Sequence, residues 1–317
     1  MHSALFVCSG DSSAARLIHL PLLDALRGAA ADSRLVVYAP DPSAELFRIG
    51  GLADEVRHYR RGLWRLRGEL RRERFELIVN LRPQSAWLNL VIGSSGAARR
   101  AGYRGPLAGS LFTHLQARDS AIYRGANYLR LAEALGLHCS LDGVFLRLAA
   151  AAEVEHGVLG DGPRYCLMPG GGAGEFKRWG MDNFLALTEW LAREEPAARF
   201  DWVLGDDERD YLTLIQASPL AARSRLLYKA SVGEVAQSAL ASRAVVANDC
   251  GPAHIAQMLA RPTVMIFSDR DGDVATRSAE WFNPHPRARL LCSAPGADIK
   301  TLPVAFAHAA VGAVREL

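Results

Sequence analysis

The chain predicts an α/β fold made of two parallel, doubly wound domains, and three observations carry that expectation. Short apolar runs alternate with helical spacing through both halves. A small, polar, glycine-containing stretch at 149–163 separates the halves and places a boundary near 155, giving domains 1–155 and 156–317. Two loops of small residues, Met-Pro-Gly-Gly-Gly-Ala-Gly-Glu-Phe-Lys-Arg-Trp (168–179) and Asn-Asp-Cys-Gly-Pro-Ala-His-Ile-Ala (248–256), each follow an apolar run and lead into a helical pattern. In doubly wound sheets ligands sit at the carboxyl ends of strands, where both loops would lie.

In the first half, residues 4–8, 35–39, 55–59 and 77–81 read as buried strands, and helical spacing covers 17–27, 44–49, 62–74 and 127–135. In the second half strands are expected at 165–168, 200–204, 226–228, 244–247 and 263–267, with helices at about 182–194, 206–217, 232–241 and 251–260. Ser231 with Glu234 has the form of a capping box. Pro252 suits a first helical turn, where a missing N–H costs nothing.

Composition excludes several classes. Half of the 317 residues are hydrophobic and 22% are charged, an ordinary balance for globular domains. No run approaches the 18 or more apolar residues of a membrane span. The N-terminus has no basic leader region and its apolar stretch is broken by Asp11, so no secretory signal is expected. Five cysteines (8, 139, 166, 250, 292) lack metal-site spacing, which argues for a reducing compartment and against both disulfides and zinc. The expected location is the cytoplasm.

Charge is unevenly spread. Residues 1–150 hold 20 Arg against 13 acidic residues, whereas 151–317 hold 17 basic against 21 acidic. A basic half is either solvated surface or a face toward an anionic partner. Residues 62–74 read as a basic amphipathic helix that either packs as a surface helix or, through Trp64, rests on an anionic leaflet.

The glycine triplet Gly170, Gly171 and Gly172 offers close backbone approach and positive φ, as a phosphate-wrapping loop needs. Lys177, one of only three lysines, adds a compact charge. Cys250 and Gly251 can present N–H groups to a diphosphate, and His254 can reach a ligand oxygen from one turn into the helix. Asp249 could instead simply cap that helix. Glu208, in Leu-Gly-Asp-Asp-Glu (204–208), could grip a ribose or serve only the helix dipole. No Gly-Lys-Ser/Thr of a P-loop and no Gly-x-Gly-x-x-Gly after the first strand is present, which leaves a nicotinamide dehydrogenase without support.

In this order the motifs resemble the family 9 glycosyltransferases, which include the ADP-heptose:lipopolysaccharide heptosyltransferases. Residues 75–82, 99–103 and 127–136 look like the family's N-terminal segments. The resemblance implies a GT-B fold, with two Rossmann-like domains facing across a cleft, and inverting, metal-independent transfer without a cofactor. A nucleotide sugar, heptose from ADP-heptose, would bind the C-terminal domain, and an anionic glycolipid of the lipopolysaccharide core, rather than nucleic acid, the N-terminal one. Peripheral contact with the inner face of the membrane would follow.

Carried over, Lys177 would meet diphosphate or sugar, Glu208 the ribose and Ala230 the adenine. Asp249, Cys250, Gly251 and His254 would line the diphosphate and sugar. Asp11, after Gly10, matches the family's general base, with His19 as a weaker alternative. Three departures stand out. Asp11 and Pro21 are ten residues apart where the family has six, Cys250 replaces Ser or Thr, and Ser268-Asp269-Arg270-Asp271 replaces a Gly-x-Thr-x-Pro-like turn. These leave open a transferase using another nucleotide sugar for a surface polysaccharide, and a non-catalytic nucleotide-binding relative.

Overall fold

A computed structural model describes residues 3–6, 13–29, 34–39, 42–58, 62–153, 162–172 and 174–316. These form two compact units, one centred on Ile18–Asp119 with Arg124–Gly143, the other on Ser120–Tyr123 with Val144–Leu317.

The first unit runs β1 (Ser3–Phe6), α1 (Ser13–Gly28), β2 (Leu35–Ala39), a 3-10 stretch (Pro42–Gly51), β3 (Glu55–His58), α2 (Leu63–Glu73) and β4 (Leu77–Asn80). It continues with α3 (Ala86–Gly93), β5 (Arg99–Tyr103), α4 (Ala108–Leu111), β6 (His114–Gln116) and α5 (Arg124–Ala134). Its six strands are all parallel, in the order β3-β2-β1-β4-β5-β6. Leu66 and Leu70 of α2 are buried against Phe75, Ile78, Leu88 and Val91, so the helix contributes an inward stripe at i, i+4 spacing.

The second unit begins with α6 (Gly143–Ala151) and β7 (Arg164–Met168), then α7 (Met181–Glu194), β8 (Arg199–Leu204), α8 (Arg209–Ala217) and β9 (Ser224–Tyr228). It closes with α9 (Val232–Ala241), β10 (Ala244–Asn248), α10 (Ala253–Met258), β11 (Thr263–Phe267), α11 (Val274–Trp281), β12 (Ala288–Cys292) and α12 (Val304–Arg315). Its parallel order, β12-β11-β10-β7-β8-β9, repeats the first sheet's order when counted from its own first strand. That is the dinucleotide-binding order, whose direction reverses at the first and fourth strands. In the second sheet the reversal lies between β7 and β10, the two strands that carry the small-residue loops.

Every position of β10 and β11 is buried, as parallel strands covered on both faces require. Trp179, Phe184, Phe200 and Trp202 fill the core of this unit. Ser231 accepts from the Glu234 N–H while the Glu234 carboxylate takes the Ser231 N–H at 2.7 Å, so the capping box forms at the start of α9.

Two expectations change. The units part at Gly143–Val144 rather than near 155, because α6 packs on the second unit. Gln237 donates to the Ala149 and Ala152 carbonyls, and a Cβ on Gly233 would lie 2.6 Å from the Leu148 oxygen. The helix expected at 251–260 is only Ala253–Met258, with Pro252 at its N-cap. No helix among the described residues is long and apolar enough to cross a membrane.

Candidate functional site

The loop after β7 is shaped by crowding. A Cβ on Gly170 would lie 3.3 Å from the Glu208 carboxylate, and one on Gly171 would lie 2.8 Å from Cγ of Arg178. Gly172 has open space around it. None of the three takes positive φ, contrary to expectation. That conformation sits at Gly174 (φ 128°) and Gly180 (φ 100°), which bracket Lys177 and the start of α7. The triplet therefore provides close approach, and Gly174 provides the change of direction. The Gly174 N–H meets the Gly171 carbonyl at 2.8 Å, and a 3-10 turn at Glu175–Lys177 follows.

The far end of this loop is anchored by Trp179, fully buried, whose indole N–H donates to the Leu302 carbonyl at 2.8 Å. Its backbone N–H donates to Oδ1 of Asn248 (3.2 Å), and Nδ2 of Asn248 donates to the Pro169 carbonyl (2.7 Å). Asn248 is itself fully buried at the end of β10. One side chain thus joins the loops on both sides of the switch point, in the dry interior where such bonds hold shape best. Sequence reasoning placed Asn248 in the motif without a role. Its position at the last residue of an otherwise apolar strand was the available signal.

The tethering brings two expected site residues into contact: Lys177 Nζ donates to Oδ2 of Asp249. Both side chains stay partly open, 23% and 13% exposed, so a ligand can reach the pair. Arg178, not singled out from the sequence, donates to Glu208 at 2.9 Å and to Glu175 at 2.7 Å. The other Glu208 oxygen accepts the Gly205 N–H at 3.0 Å, so both oxygens already hold protein partners. Any hydroxyl bound by Glu208 would use the remaining lone pairs. Asp206 accepts from Lys229 (2.6 Å) and Tyr228 (3.0 Å), joining the loops after β8 and β9 next to the half-buried Ala230.

Cys250 and His254 both have side chains turned away from solvent. Burial pushes the Cys250 thiol up to about 12, so it stays protonated and faces the Met168 carbonyl at 4.0 Å. Only its backbone N–H and that of Gly251 remain as donors toward a ligand. His254 is fully buried, stacked on Tyr123 with centroids 6.1 Å apart and tilted 5.8 Å from Trp281. The Asn283 N–H donates to Oε1 of Gln257 at 2.7 Å, which turns Nε2 of Gln257 toward Nδ1 of His254 at 3.2 Å. Nδ1 thus faces the Gln257 amide nitrogen and also the Tyr123 hydroxyl, at 3.3 Å. As placed, the ring fixes α10 against Tyr123 and α11, and solvent does not reach it.

Asp11 lies outside the described residues. His19, the alternative base, is fully buried, its ring 5.1 Å from Tyr128 and 6.1 Å from Phe47. Among the described residues no three His, Cys, Asp or Glu side chains come together as a metal site.

Beside the Lys177 loop is a pocket of about 290 Å³, lined by Glu175, Phe176, Ser268, Arg270 and residues 296–300. The altered turn at 268–271 forms one wall. Asp269 builds it by accepting the Val274 N–H (3.0 Å) while its own N–H donates to Ser293 (2.9 Å). The Arg270 guanidinium lies 5.8 Å from the centroid of Phe176, and Lys300 reaches Glu175 at 3.4 Å.

Two sheets of dinucleotide-binding order, with the glycine and Asn-Asp loops meeting at the second switch point, give the chain the GT-B architecture. The model of glycosyltransferase family 9 (heptosyltransferase) matches residues 63–278, more than half of the chain, and the chain belongs to that family. It is a glycosyltransferase of GT-B fold.

Its structure is similar to that of E. coli ADP-heptose LPS heptosyltransferase II (18% identity, 100% of this chain and 99% of that one, TM-score 0.67). It also resembles E. coli heptosyltransferase WaaC with ADP (15%, 98% and 99%, TM-score 0.68). A family 9 glycosyl transferase from Veillonella parvula is a further neighbour (14%, 99% and 97%, TM-score 0.69). No curated protein sequence matches the chain.

Proposed function

We propose that this enzyme is an inverting, metal-independent transferase that moves heptose from ADP-heptose onto an anionic glycolipid of the lipopolysaccharide-core type. The observation that supports it best is the Lys177–Asp249 pair at the β7/β10 switch point. The diphosphate would take one face of the Lys177 ammonium and the N–H groups of Cys250 and Gly251. Asp249 would hold sugar hydroxyls rather than phosphate, since two anions side by side repel. The charge that leaves with the diphosphate would thus be met by fixed donors at the moment it develops. The helix dipole contributes little, because α10 has six residues. Ribose would lie toward Glu208 and adenine toward Ala230, at the carboxyl ends of β8 and β9. Asp11 is the assigned base for the acceptor hydroxyl.

The departures from the family pattern favour a second reading, a donor sugar other than heptose. The pocket beside Lys177 presents Arg270, for which no carboxylate partner exists among the described residues. A sugar bearing a carboxylate or phosphate would supply one.

Thermal shifts with ADP-heptose, UDP-sugars and GDP-sugars separate the readings, since a ligand at 100 times its Kd stabilises by about 2.7 kcal/mol. ADP-heptose should raise Tm and be consumed with release of ADP. Lys177→Ala should lower that turnover by roughly 10²–10³-fold, the loss typical of removing one donor to a developing anion. An unchanged rate in the variant overturns the role of Lys177. Stabilisation by a UDP- or GDP-sugar alone overturns the donor.

A further inference from the structure

We propose that the outer face of α2 is a docking surface for an anionic lipid bilayer. The helix segregates its charges. Its inward stripe, Leu66 and Leu70, is buried in the core. Both of its acidic residues turn to one flank, where Glu69 and Glu73 bind Arg57 (2.8 and 2.7 Å) and Glu73 also binds Arg34 (2.7 Å). Arg67 and Arg71 lean the other way, onto the C-cap of α3, donating to the hydroxyl and the carbonyl of Ser94 (3.1 and 3.0 Å).

Facing solvent are Trp64, 75% exposed, Arg65, Arg72 and the outer part of Arg71, whose Nε is held by the Ser94 carbonyl. At 100° per residue these four fall within one third of the helical circumference. None of the three arginines meets a carboxylate among the described residues. Arg67 lies 5.9 Å from the Trp64 ring, and Leu90 of the neighbouring α3 is 44% exposed.

The exposed indole and the guanidinium groups beside it take no part in the buried core of this unit. The combination matches a lipid headgroup layer in two respects. Indole prefers the boundary between polar and apolar regions. Each Arg near an anionic leaflet strengthens binding by about fivefold. The surface stands on its own geometry. Its purpose, holding the enzyme where a lipid-linked acceptor lies, rests on the acceptor reading above.

Co-sedimentation of the full chain with vesicles of phosphatidylcholine alone, or phosphatidylcholine with 30 mol% phosphatidylglycerol, tests it. The expected result is binding to the anionic vesicles only, weakening at least tenfold between 0.05 and 0.5 M NaCl as exposed charges are screened. Trp64→Ala should weaken it severalfold and Arg71→Glu/Arg72→Glu by more than tenfold. Turnover of these variants on a soluble, delipidated acceptor should be unchanged; Tm should be unchanged for Trp64→Ala and fall only slightly for Arg71→Glu/Arg72→Glu, which loses the Arg71 bond to Ser94. Equal binding to neutral vesicles, indifference to both variants, or tighter binding to duplex DNA than to the anionic vesicles overturns the surface. Normal transfer beside absent vesicle binding overturns the surface alone and leaves the transferase reading intact.

Discussion

Both sheets end their fourth strand on a buried asparagine, Asn80 in β4 and Asn248 in β10, yet the two side chains tie down different loops. Asn80 works locally. It accepts the Arg82 N–H (2.9 Å) and donates to Asn89 (2.7 Å), whose own amide reaches the Pro83 and Pro106 carbonyls. The loops after β4 and β5 are joined, both on the same side of that sheet's reversal. Asn248 works across the reversal, joining the loop after β7 to that after β10. A shared strand order therefore does not dictate where rigidity goes. The second sheet has placed it at the position where doubly wound folds receive ligands.

Cutting the two asparagines is the strongest way to break this comparison. Asn248→Ala and Asn80→Ala each strand buried polar groups and should cost roughly 2–4 kcal/mol in urea unfolding. Only Asn248→Ala should also weaken nucleotide-sugar binding, by about tenfold or more, in calorimetric titration. Equal losses of affinity in both would show that stability, not loop geometry, governs the site.

The glycine triplet sharpens the same point at smaller magnitude. Gly171→Ala would force Arg178 aside and should weaken donor binding severalfold at a stability cost of about 1 kcal/mol. Gly172→Ala, with open space around its Cβ, should leave both unchanged. A deleterious Gly172→Ala would mean that the ligand itself needs the room.

The smallest effect belongs to the charge cluster of the first unit. Hydrogen bonds from Arg57 and then Arg34 lower the Glu55 carboxyl to about 2. A depressed carboxylate stabilises above its ordinary range near 4.5, and that contribution is lost as pH falls toward 2. The group is about a third exposed, so the gain is screened to roughly 0.5–1 kcal/mol. Wild type should exceed Glu55→Gln in stability at pH 6 by that amount, and the gap should close between pH 4.5 and 2. A gap that persists at pH 2 would assign it to packing.

Much of this was legible in the chain. Strands such as Ala244–Asn248 and Thr263–Phe267 are short continuous apolar runs, and the small-residue loops follow them directly. The strands that escaped notice are of another kind. Arg99–Tyr103 has two arginines and a glycine, and it is a strand because it lies between β4 and β6. A Cβ at Gly102 would stand 2.5 Å from the Asn80 oxygen, a close approach no local pattern announces. His114–Gln116 and Ala288–Cys292 are edge strands, short or half-polar, as edges commonly are.

Within the candidate site, the motif residues could be named from the sequence because they cluster in it. The Arg178–Glu208 pair and the stacking of Tyr123 on His254 were not, because partners 30 and 131 residues apart carry no periodic signal.

The protonated thiol of Cys250 has a practical consequence. Alkylating reagents attack the thiolate, so this group reacts only when the loop beneath it opens. The same holds for Cys166, buried in the middle of β7 and likewise pushed up to about 12. Two built-in chemical clocks result. The one at 250 times local breathing of the loop after β10, and the one at 166 times wholesale opening of the sheet. A bound substrate analogue that slows the first without touching the second would reveal, from modification rates alone, how far its grip extends.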